Sequence, residues 1–182
     1  ILPGSKNTTE DLLYLKKQGY ADEITALASQ GIPVVGICGG YQMLGRLIQD
    51  PEHTESSHDE VAGLGLLPAV TTFEAEKITH QVSAAAMNHR FLQLNYTTDN
   101  LTGYEIHMGR TEFLEPVNPA FTIASRSRQA VQAADGAVSA NGMVMGTYLH
   151  GIFDNDSYRL ALLNALRVRK GLAVVEAVTA SH

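Results

Sequence analysis

The single cysteine of this 182-residue chain lies in a glycine-rich turn between two stretches of different periodicity. An apolar run typical of a β-strand, residues 32–35, precedes it, and a helical run, residues 41–48, follows it. With Gly36 and Gly40 on either side, Cys38 completes the pattern glycine-x-nucleophile-x-glycine, in which a strained turn presents the nucleophile. The pattern predicts that Cys38 is a nucleophile. The alternative is a buried structural cysteine before a glycine-rich turn.

The helix that follows Cys38 predicts two properties of the site. A helix N-terminus carries a partial positive charge, so we expect it to favour the thiolate over the thiol. The backbone N–H of Gly39 is expected to point to the place where an oxyanion would form. Gly4, which follows Pro3 at the end of a short strand, is a second and weaker candidate for such a donor, because glycines after strands are common.

A cysteine nucleophile needs a base, and His150 is the first choice among the seven histidines. It follows an apolar strand, residues 144–149, and precedes Gly151, so it would lie on the same rim of a parallel sheet as the cysteine. His107 is the second choice. Alternate residues of a strand share a face, so His107 and Glu105 could together form a polar pocket wall. For either histidine, the alternative is a structural role.

The elements that must position these residues alternate between helix and strand. Helices are predicted over residues 8–18, with Asn7 or Thr8 as the cap, and over 21–30, 41–48 and 157–170. The order helix, strand, helix predicts an α/β fold: a mostly parallel central sheet with helices on both faces. A smaller antiparallel region is expected from residue 63 onwards. Its predicted strands cover residues 66–73, 78–84, 103–108 and 121–125, with a hairpin at 136–148.

Composition narrows the classes of function. The net charge is −6 and no Lys/Arg cluster is present, which argues against nucleic acid as a partner. No apolar run reaches transmembrane length, so no membrane association is predicted. One cysteine allows no internal disulfide and fits a reducing cytoplasm. The acidic loop (residues 50–60) is predicted to be exposed, and its His53 and His58 match no metal-ligand spacing, so no metal site is predicted.

Five segments of the chain together resemble a known family. They are, in order, residues 1–8 (ILPGSKNT), 36–45 (GICGGYQMLG), 63–68 (GLGLLP), 103–109 (GYEIHMG) and 146–155 (GTYLHGIFDN). They closely resemble the glutamine amidotransferase domain at the C-terminus of cobyric acid synthases, over essentially the whole chain. The cysteine motif alone would indicate only the broader class I amidotransferases, with their flavodoxin-like fold. The first and last segments narrow the resemblance.

The resemblance implies a role for each matching residue. Cys38 would attack the carboxamide of glutamine, and His150 would act as general base and acid. The other implied residues are two oxyanion-hole donors and two that line the glutamine pocket: Gly39 with Gly4, and Gln42 with Tyr41. Triad amidotransferases have a glutamate two residues after the histidine, where this chain has Ile152. Glu105 is the candidate that would instead orient His150, and its alternative is a structural carboxylate paired with Arg110 or another cation.

The resemblance also implies partners and a reaction. Residues 1–182 would form one glutaminase domain without a cofactor of its own, a fragment of a longer synthetase, since the chain begins inside an apparent strand. The synthetase domain of the same protein would bind ATP, Mg²⁺ and the corrinoid adenosylcobyrinic acid a,c-diamide, whose carboxylates are amidated. The alternatives are cobyrinic acid a,c-diamide synthase, amidation of a lipid-linked peptidoglycan precursor, or a docking domain without catalysis.

Overall fold

The computed structural model describes residues 1–86, 90–94 and 100–176, and within these ranges the chain forms four helices and ten strands. The helices are α1 (Thr8–Lys17), α2 (Tyr20–Ser29), α3 (Gly39–Leu44) and α4 (Asp156–Arg169). The first strands are β1 (Val34–Ile37), β2 (Leu47–Gln49), β3 (Glu60–Ala62), β4 (Ala69–Ala86) and β5 (Leu101–Phe113). The later strands are β6 (Phe121–Arg126), β7 (Gln129–Asp135), β8 (Ala137–Val138), β9 (Val144–Thr147) and β10 (Leu149–His150).

The strands form two sheets. The smaller sheet has the order β1-β9-β8, with β1 and β9 parallel and Ile37 opposite Thr147. Leu2 adds a parallel bridge to Gly36 at the outer edge of β1. The larger sheet has the order β10-β5-β4-β2-β3, with β6 also paired to β4 and β7 paired to β6. The chain therefore crosses between the sheets several times, and the end of β9 brings the smaller sheet against the larger one.

Helices cover both faces of the smaller sheet, as predicted. Successive side chains of a strand point to opposite faces. Val34 and Val144 pack on one face in a cluster that includes residues of α2 and α3: Ala28, Tyr41 and Leu44. Val35 and Met145 pack on the other face in a cluster that includes residues of α4: Tyr158 and Leu162. The α/β prediction is therefore confirmed.

The proportions of the two sheets differ from the prediction, because the mainly antiparallel sheet has seven strands and the sheet around β1 has three. The difference lies mainly in β4, an 18-residue strand that pairs with most of β5. The sequence predicted two separate strands there, since the polar residues 74–77 interrupt the apolar pattern. Residues 74–76 are exposed and lie in an irregular stretch of one continuous strand, between Thr72 and Lys77, where the pairing with β5 changes register. A bulge and a strand end both interrupt the apolar pattern, so the sequence alone does not distinguish them.

Helix boundaries follow the sequence signals except at α3. Asn7 caps α1, and its side-chain oxygen accepts the N–H of Glu10 at 3.1 Å. The predicted helix over residues 41–48 instead ends at Leu44, because Gly45 is extended and the next residues form β2. The predicted hairpin is confirmed as the pair β8 and β9. No helix within the described ranges has the length and apolar character needed to cross a membrane.

Substitution of two neighbouring leucines tests which face of α4 is buried. Leu162 is 8 % exposed and Leu163 is 48 % exposed. We expect Leu162→Ala to lower the free energy of unfolding by about 2–5 kcal/mol, because it leaves a cavity in the core. Leu163→Ala, the matched control, should change it by about 0.5 kcal/mol or less. Urea unfolding of both variants makes the comparison, and equal losses would contradict this packing of α4.

Candidate active site

The turn at Cys38 has the strained geometry that its sequence predicts. β1 ends at Ile37, α3 begins at Gly39, and Cys38 between them has φ +52° and ψ −113°. A non-glycine residue with this backbone is held there only by its surroundings. Here, the N–H of Cys38 donates to the carbonyl oxygen of Thr147 at 2.9 Å, and its own carbonyl accepts the N–H of Gln42 at 3.0 Å. One contact comes from β9 and the other from α3.

Gly40 allows the start of the chain to approach this turn. A Cβ on Gly40 would overlap the carbonyl oxygen of Leu2, and the N–H of Gly40 donates to the carbonyl of Pro3 at 3.1 Å. Gly4 follows directly, and a Cβ placed on it would lie 3.7 Å from the Cβ of Cys38. Close approach at Gly40 thus brings Gly4 beside the cysteine.

The carbonyl oxygen of Ile106 is the point at which the thiol and the imidazole meet. Cys38 Sγ lies 3.2 Å from this oxygen, and His150 Nε2 lies 3.2 Å from it as well. A Cβ on Gly4 would lie 3.2 Å from Cε1 of His150 and 3.9 Å from its Nδ1. The structure therefore brings Cys38, His150 and Gly4 together. Ile106 had no signal in the sequence, because it contributes a main-chain oxygen.

The two proposed oxyanion donors lie next to each other. The backbone N–H of Gly39 acts on the Cys38 thiol and lowers its pKa. A Cβ on Gly39 would lie 3.0 Å from the nitrogen of Ser5, so the Gly4–Ser5 segment packs directly against the first residue of α3. This neighbourhood is the one required if both glycine N–H groups are to reach a single oxygen bound to the cysteine.

The surroundings of Cys38 shift the pKa of its thiol in the direction opposite to the one expected from the helix N-terminus. Burial raises the pKa of the Cys38 thiol, and this effect outweighs the hydrogen bond from Gly39, which lowers it. The charge of Glu55 raises that pKa further, while the charge of Lys77 lowers it. Desolvation by burial therefore acts against the expected preference for the thiolate. Cys38 therefore needs a base to lose its proton.

Glu105 does not orient His150. Although Glu105 lies opposite Leu149 in the pairing of β5 with β10, its carboxylate accepts from Arg126, at 2.6 Å from Nε and 2.8 Å from Nη2. Burial opposes the charge, but the neighbouring His107 and Arg126 lower the pKa of Glu105 to about 2, Arg126 through two hydrogen bonds and its charge. Glu105 is thus a structural carboxylate paired with a cation, which was the alternative to orienting His150. The cation is Arg126, whereas Arg110 pairs with other carboxylates.

His107, the second choice as base, lies in this buried group and not beside the thiol. Its Nδ1 lies 3.0 Å from the carbonyl of Gly109, its Nε2 lies 3.7 Å from Glu105, and its ring stacks on Tyr148 at 3.8 Å. The prediction that His107 and Glu105 share a face is confirmed. His150 is the histidine that shares a hydrogen-bond acceptor with Cys38.

Gln42 and Tyr41 are both buried beside the nucleophile, and each contacts the strands packed against α3. Gln42 is buried, and its amide nitrogen donates to the carbonyl of Met108 at 2.9 Å and to Tyr148 Oη at 3.3 Å. Its amide oxygen accepts from the hydroxyl of Thr8 at 3.3 Å. Tyr41 is 1 % exposed and packs edge-on against Tyr148. These contacts help to hold α3 in place. The expected role of Gln42 and Tyr41 at the glutamine pocket stays a prediction.

The acidic loop is mostly exposed, as predicted, but it has an internal structure that the sequence did not reveal. The carboxylate of Asp50, which is buried, accepts the N–H groups of three loop residues at 2.6–2.9 Å: Thr54, Glu55 and Ser56. The fold of the loop carries the carboxylate of Glu55 to the N–H of Thr8, at the start of α1. The available signal was an aspartate before Ser/Thr-rich residues, a pattern typical of side-chain-to-backbone turns.

Comparison with known proteins gives the same assignment along nearly the whole chain. A family model described as "CobB/CobQ-like glutamine amidotransferase domain" matches residues 1–158. The cobyric acid synthase of Pelotomaculum thermopropionicum is 51 % identical over 173 residues, which are 95 % of this chain and 33 % of that protein. The cobyric acid synthase of Desulforamulus reducens is 49 % identical over 173 residues, 95 % and 34 % of the two chains. The chain thus spans about a third of the length of these relatives.

Solved structures show the same fold at low sequence identity. PurLQS from Thermotoga maritima matches with a TM-score of 0.56 and 19 % identity, over 80 % of this chain and 68 % of that one. A structure described as a glutamine amidotransferase matches with a TM-score of 0.52 and 16 % identity, over 90 % of this chain and 76 % of that one. These similarities confirm the predicted amidotransferase fold.

The ion pair of Glu105 makes stability depend on pH in a defined direction. Because the pKa of Glu105 is lowered from 4.5 to about 2, its stabilisation is present above pH 4.5 and is lost as the pH falls towards 2. We expect this loss to be about 2–3 kcal/mol and to be absent in Glu105→Gln. Urea unfolding between pH 7 and pH 2.5 measures it.

Glu115→Gln is the matched control, because Glu115 pairs with Arg46 at the exposed surface. It should follow the wild-type pH dependence and change stability by about 1 kcal/mol or less. The same loss below pH 4.5 in Glu105→Gln as in wild type would show that this carboxylate is not the ionised partner of Arg126.

Proposed function

Because the chain belongs to the CobB/CobQ-like glutamine amidotransferase domain family, we propose that it hydrolyses glutamine with Cys38 as nucleophile and His150 as base. The observation that carries the proposal is the shared contact at Ile106, where the thiol of a strained strand-to-helix turn and an imidazole lie on one oxygen. A cysteine whose pKa is raised needs a neighbouring base to form the thiolate.

The first half of the reaction forms a thioester. The thiol of Cys38 and Nε2 of His150 both lie on the carbonyl oxygen of Ile106. In the proposed step the thiol hydrogen turns from this oxygen to the imidazole of His150, and the sulfur attacks the side-chain carbonyl carbon of glutamine. The N–H groups of Gly39 and Gly4 stabilise the oxyanion. The imidazolium then protonates the leaving nitrogen, the C–N bond breaks, and ammonia leaves a γ-glutamyl thioester on Cys38.

The second half of the reaction restores the enzyme. His150 takes a proton from water, and the hydroxide attacks the thioester carbonyl. The C–S bond breaks, glutamate leaves, and His150 returns the proton to the sulfur. The only products are glutamate and ammonia, so these steps need neither a cofactor nor a metal in this domain.

The acceptor of the ammonia is proposed from the relatives. They are named cobyric acid synthases and are about three times as long as this chain. We place residues 1–182 as the glutaminase domain of such a synthetase, in the cytoplasm. Its ATP-dependent domain would bind ATP, Mg²⁺ and adenosylcobyrinic acid a,c-diamide and would amidate the corrinoid carboxylates with the ammonia released here.

Replacing the nucleophile separates the two activities. In the full-length synthetase, Cys38→Ser should lower ammonia release from glutamine by about 10³-fold or more, because serine lacks a base strong enough to ionise it. Amidation with added ammonium salt should stay at the wild-type rate. Loss of the ammonia-dependent reaction as well would place Cys38 in the synthetase chemistry or in the fold, against the proposal.

His150→Ala tests the base, and His80→Ala is the matched control. The ring of His80 hydrogen-bonds Ser127 at 3.1 Å and belongs to no part of the proposed site. Ammonia release from glutamine should fall by about 10²-fold or more in the first variant and stay unchanged in the second. Wild-type turnover in His150→Ala would exclude it as the base.

A further inference from the structure

The chain passes between the two sheets at two places that contact each other. At the first, it leaves β7 of the larger sheet and enters β8 of the smaller one, through Asp135 and Gly136. At the second, it leaves β9 of the smaller sheet and enters β10 of the larger one, through Tyr148. A Cβ on Gly136, where φ is +67°, would overlap the carbonyl oxygen of Gly146. The two crossings are therefore packed backbone to backbone.

The carboxylate of Asp135 joins the two crossings. It is 5 % exposed, and it accepts the hydroxyl hydrogen of Thr147 on one oxygen and the N–H of Tyr148 on the other, at 3.1 Å. The hydroxyl oxygen of Thr147 in turn accepts the N–H of Leu149 at 3.0 Å. These bonds satisfy two successive N–H groups at the point where the chain changes sheets, as buried backbone groups require.

Both catalytic residues are attached to this crossing. Upstream, the carbonyl of Thr147 accepts the N–H of Cys38 at 2.9 Å and so helps to hold its strained backbone. Downstream, His150 follows Leu149 directly, and its ring reaches Ile106. The direction in which the chain leaves Thr147 therefore sets where the imidazole lies relative to the sulfur.

We propose that Asp135 is a positioning residue for the glutaminase reaction: through Thr147 and Tyr148, its carboxylate fixes the relative position of the Cys38 thiol and the His150 imidazole. This inference rests on the proposed function. Asp135 does not touch either side chain, so its effect passes through the crossing. A displacement of about 1 Å between a nucleophile and its base can lower the rate by about 10²-fold. Small shifts of the backbone at the crossing are therefore expected to change the rate of glutamine hydrolysis.

The positioning by Asp135 is expected to depend on pH, because the pKa of its buried carboxyl is shifted. Burial raises the pKa of Asp135 to about 6, although hydrogen bonds from Thr147 and Tyr148 oppose this. The charge of Glu105 also raises the pKa of Asp135 and that of His107 lowers it, while Tyr41 is the titratable group that faces it from α3. The carboxyl is therefore ionised at pH 7.5 and protonated below about pH 6, where it keeps only one oxygen as a full acceptor.

Two variants break the link and two keep the polar core otherwise intact. Asp135→Asn removes one acceptor oxygen, and Thr147→Val removes the hydroxyl while keeping the shape. Thr147→Ser retains the hydroxyl bond to Asp135 and is the matched control for Thr147→Val. Ser83→Ala removes one part-buried hydroxyl bond elsewhere in the larger sheet, to Ser125, and controls for the loss of a polar contact. Glutamine hydrolysis gives kcat and KM, and thermal unfolding verifies that each variant is folded.

We expect kcat at pH 7.5 to fall about tenfold in Asp135→Asn and Thr147→Val, with KM for glutamine within about twofold of wild type, as for a group that acts on the reaction geometry. Thr147→Ser and Ser83→Ala should keep the wild-type kcat. Lowering the pH from 7.5 to 5.5 should bring the ratio of wild-type kcat to Asp135→Asn kcat closer to one. At the lower pH the wild-type carboxyl becomes protonated and resembles the amide of the variant. A general loss of stability would give no such convergence.

Folded Asp135→Asn or Thr147→Val with the wild-type kcat would overturn the positioning role and leave the proposed function standing. Failure of both variants to fold would assign the link to stability alone and overturn the role too. If only Asp135→Asn fails to fold, the kcat of Thr147→Val tests the positioning role by itself. Absence of glutamine hydrolysis in wild type, by contrast, would overturn the proposed function and this inference with it.

Discussion

The parallel pairing of β1 with β9 is the constraint on which the site depends. Ile37 lies opposite Thr147, and the next residue, Cys38, continues the ladder by donating its N–H to Thr147. A parallel pair places the carboxyl ends of both strands on the same rim. One strand then turns into α3 and exposes a thiol, while the other bends into β10 and delivers His150. A shift of this register by one residue would leave Cys38 without its backbone partner and would point successive side chains to the wrong face.

A buried polar layer lies behind this rim. Tyr148 accepts a hydrogen bond from Gln42 and stacks on His107, and Glu105 with Arg126 closes the layer on one side. Burying such groups is costly unless each finds a partner. Here they are partnered, and they hold α3 and β5 at a fixed separation. Burial also raises the pKa of the Cys38 thiol, so its activation needs the imidazole.

What could be predicted from the sequence was set by local pattern. The turn at Cys38 requires particular residues at particular spacings. A histidine at the end of a parallel strand lies on the same rim of the sheet as the cysteine. What could not be predicted depends on distant partners. Glu105 binds Arg126 of β6 and not His150, and the bulge in β4 reads in the sequence as a gap between strands. The thiol pKa was misjudged for the same reason, since burial is a property of the assembled fold.

The most direct measurement is the mass of the intact protein after incubation with a diazoketone analogue of glutamine, with peptide mapping of the product. The analogue reacts only where a glutamine-shaped pocket holds it against a sulfur nucleophile. A single adduct on Cys38, slowed by excess glutamine, is the predicted result. An adduct on another residue, labelling that glutamine does not slow, or no adduct on folded protein would contradict the assignment of Cys38 as the glutaminase nucleophile.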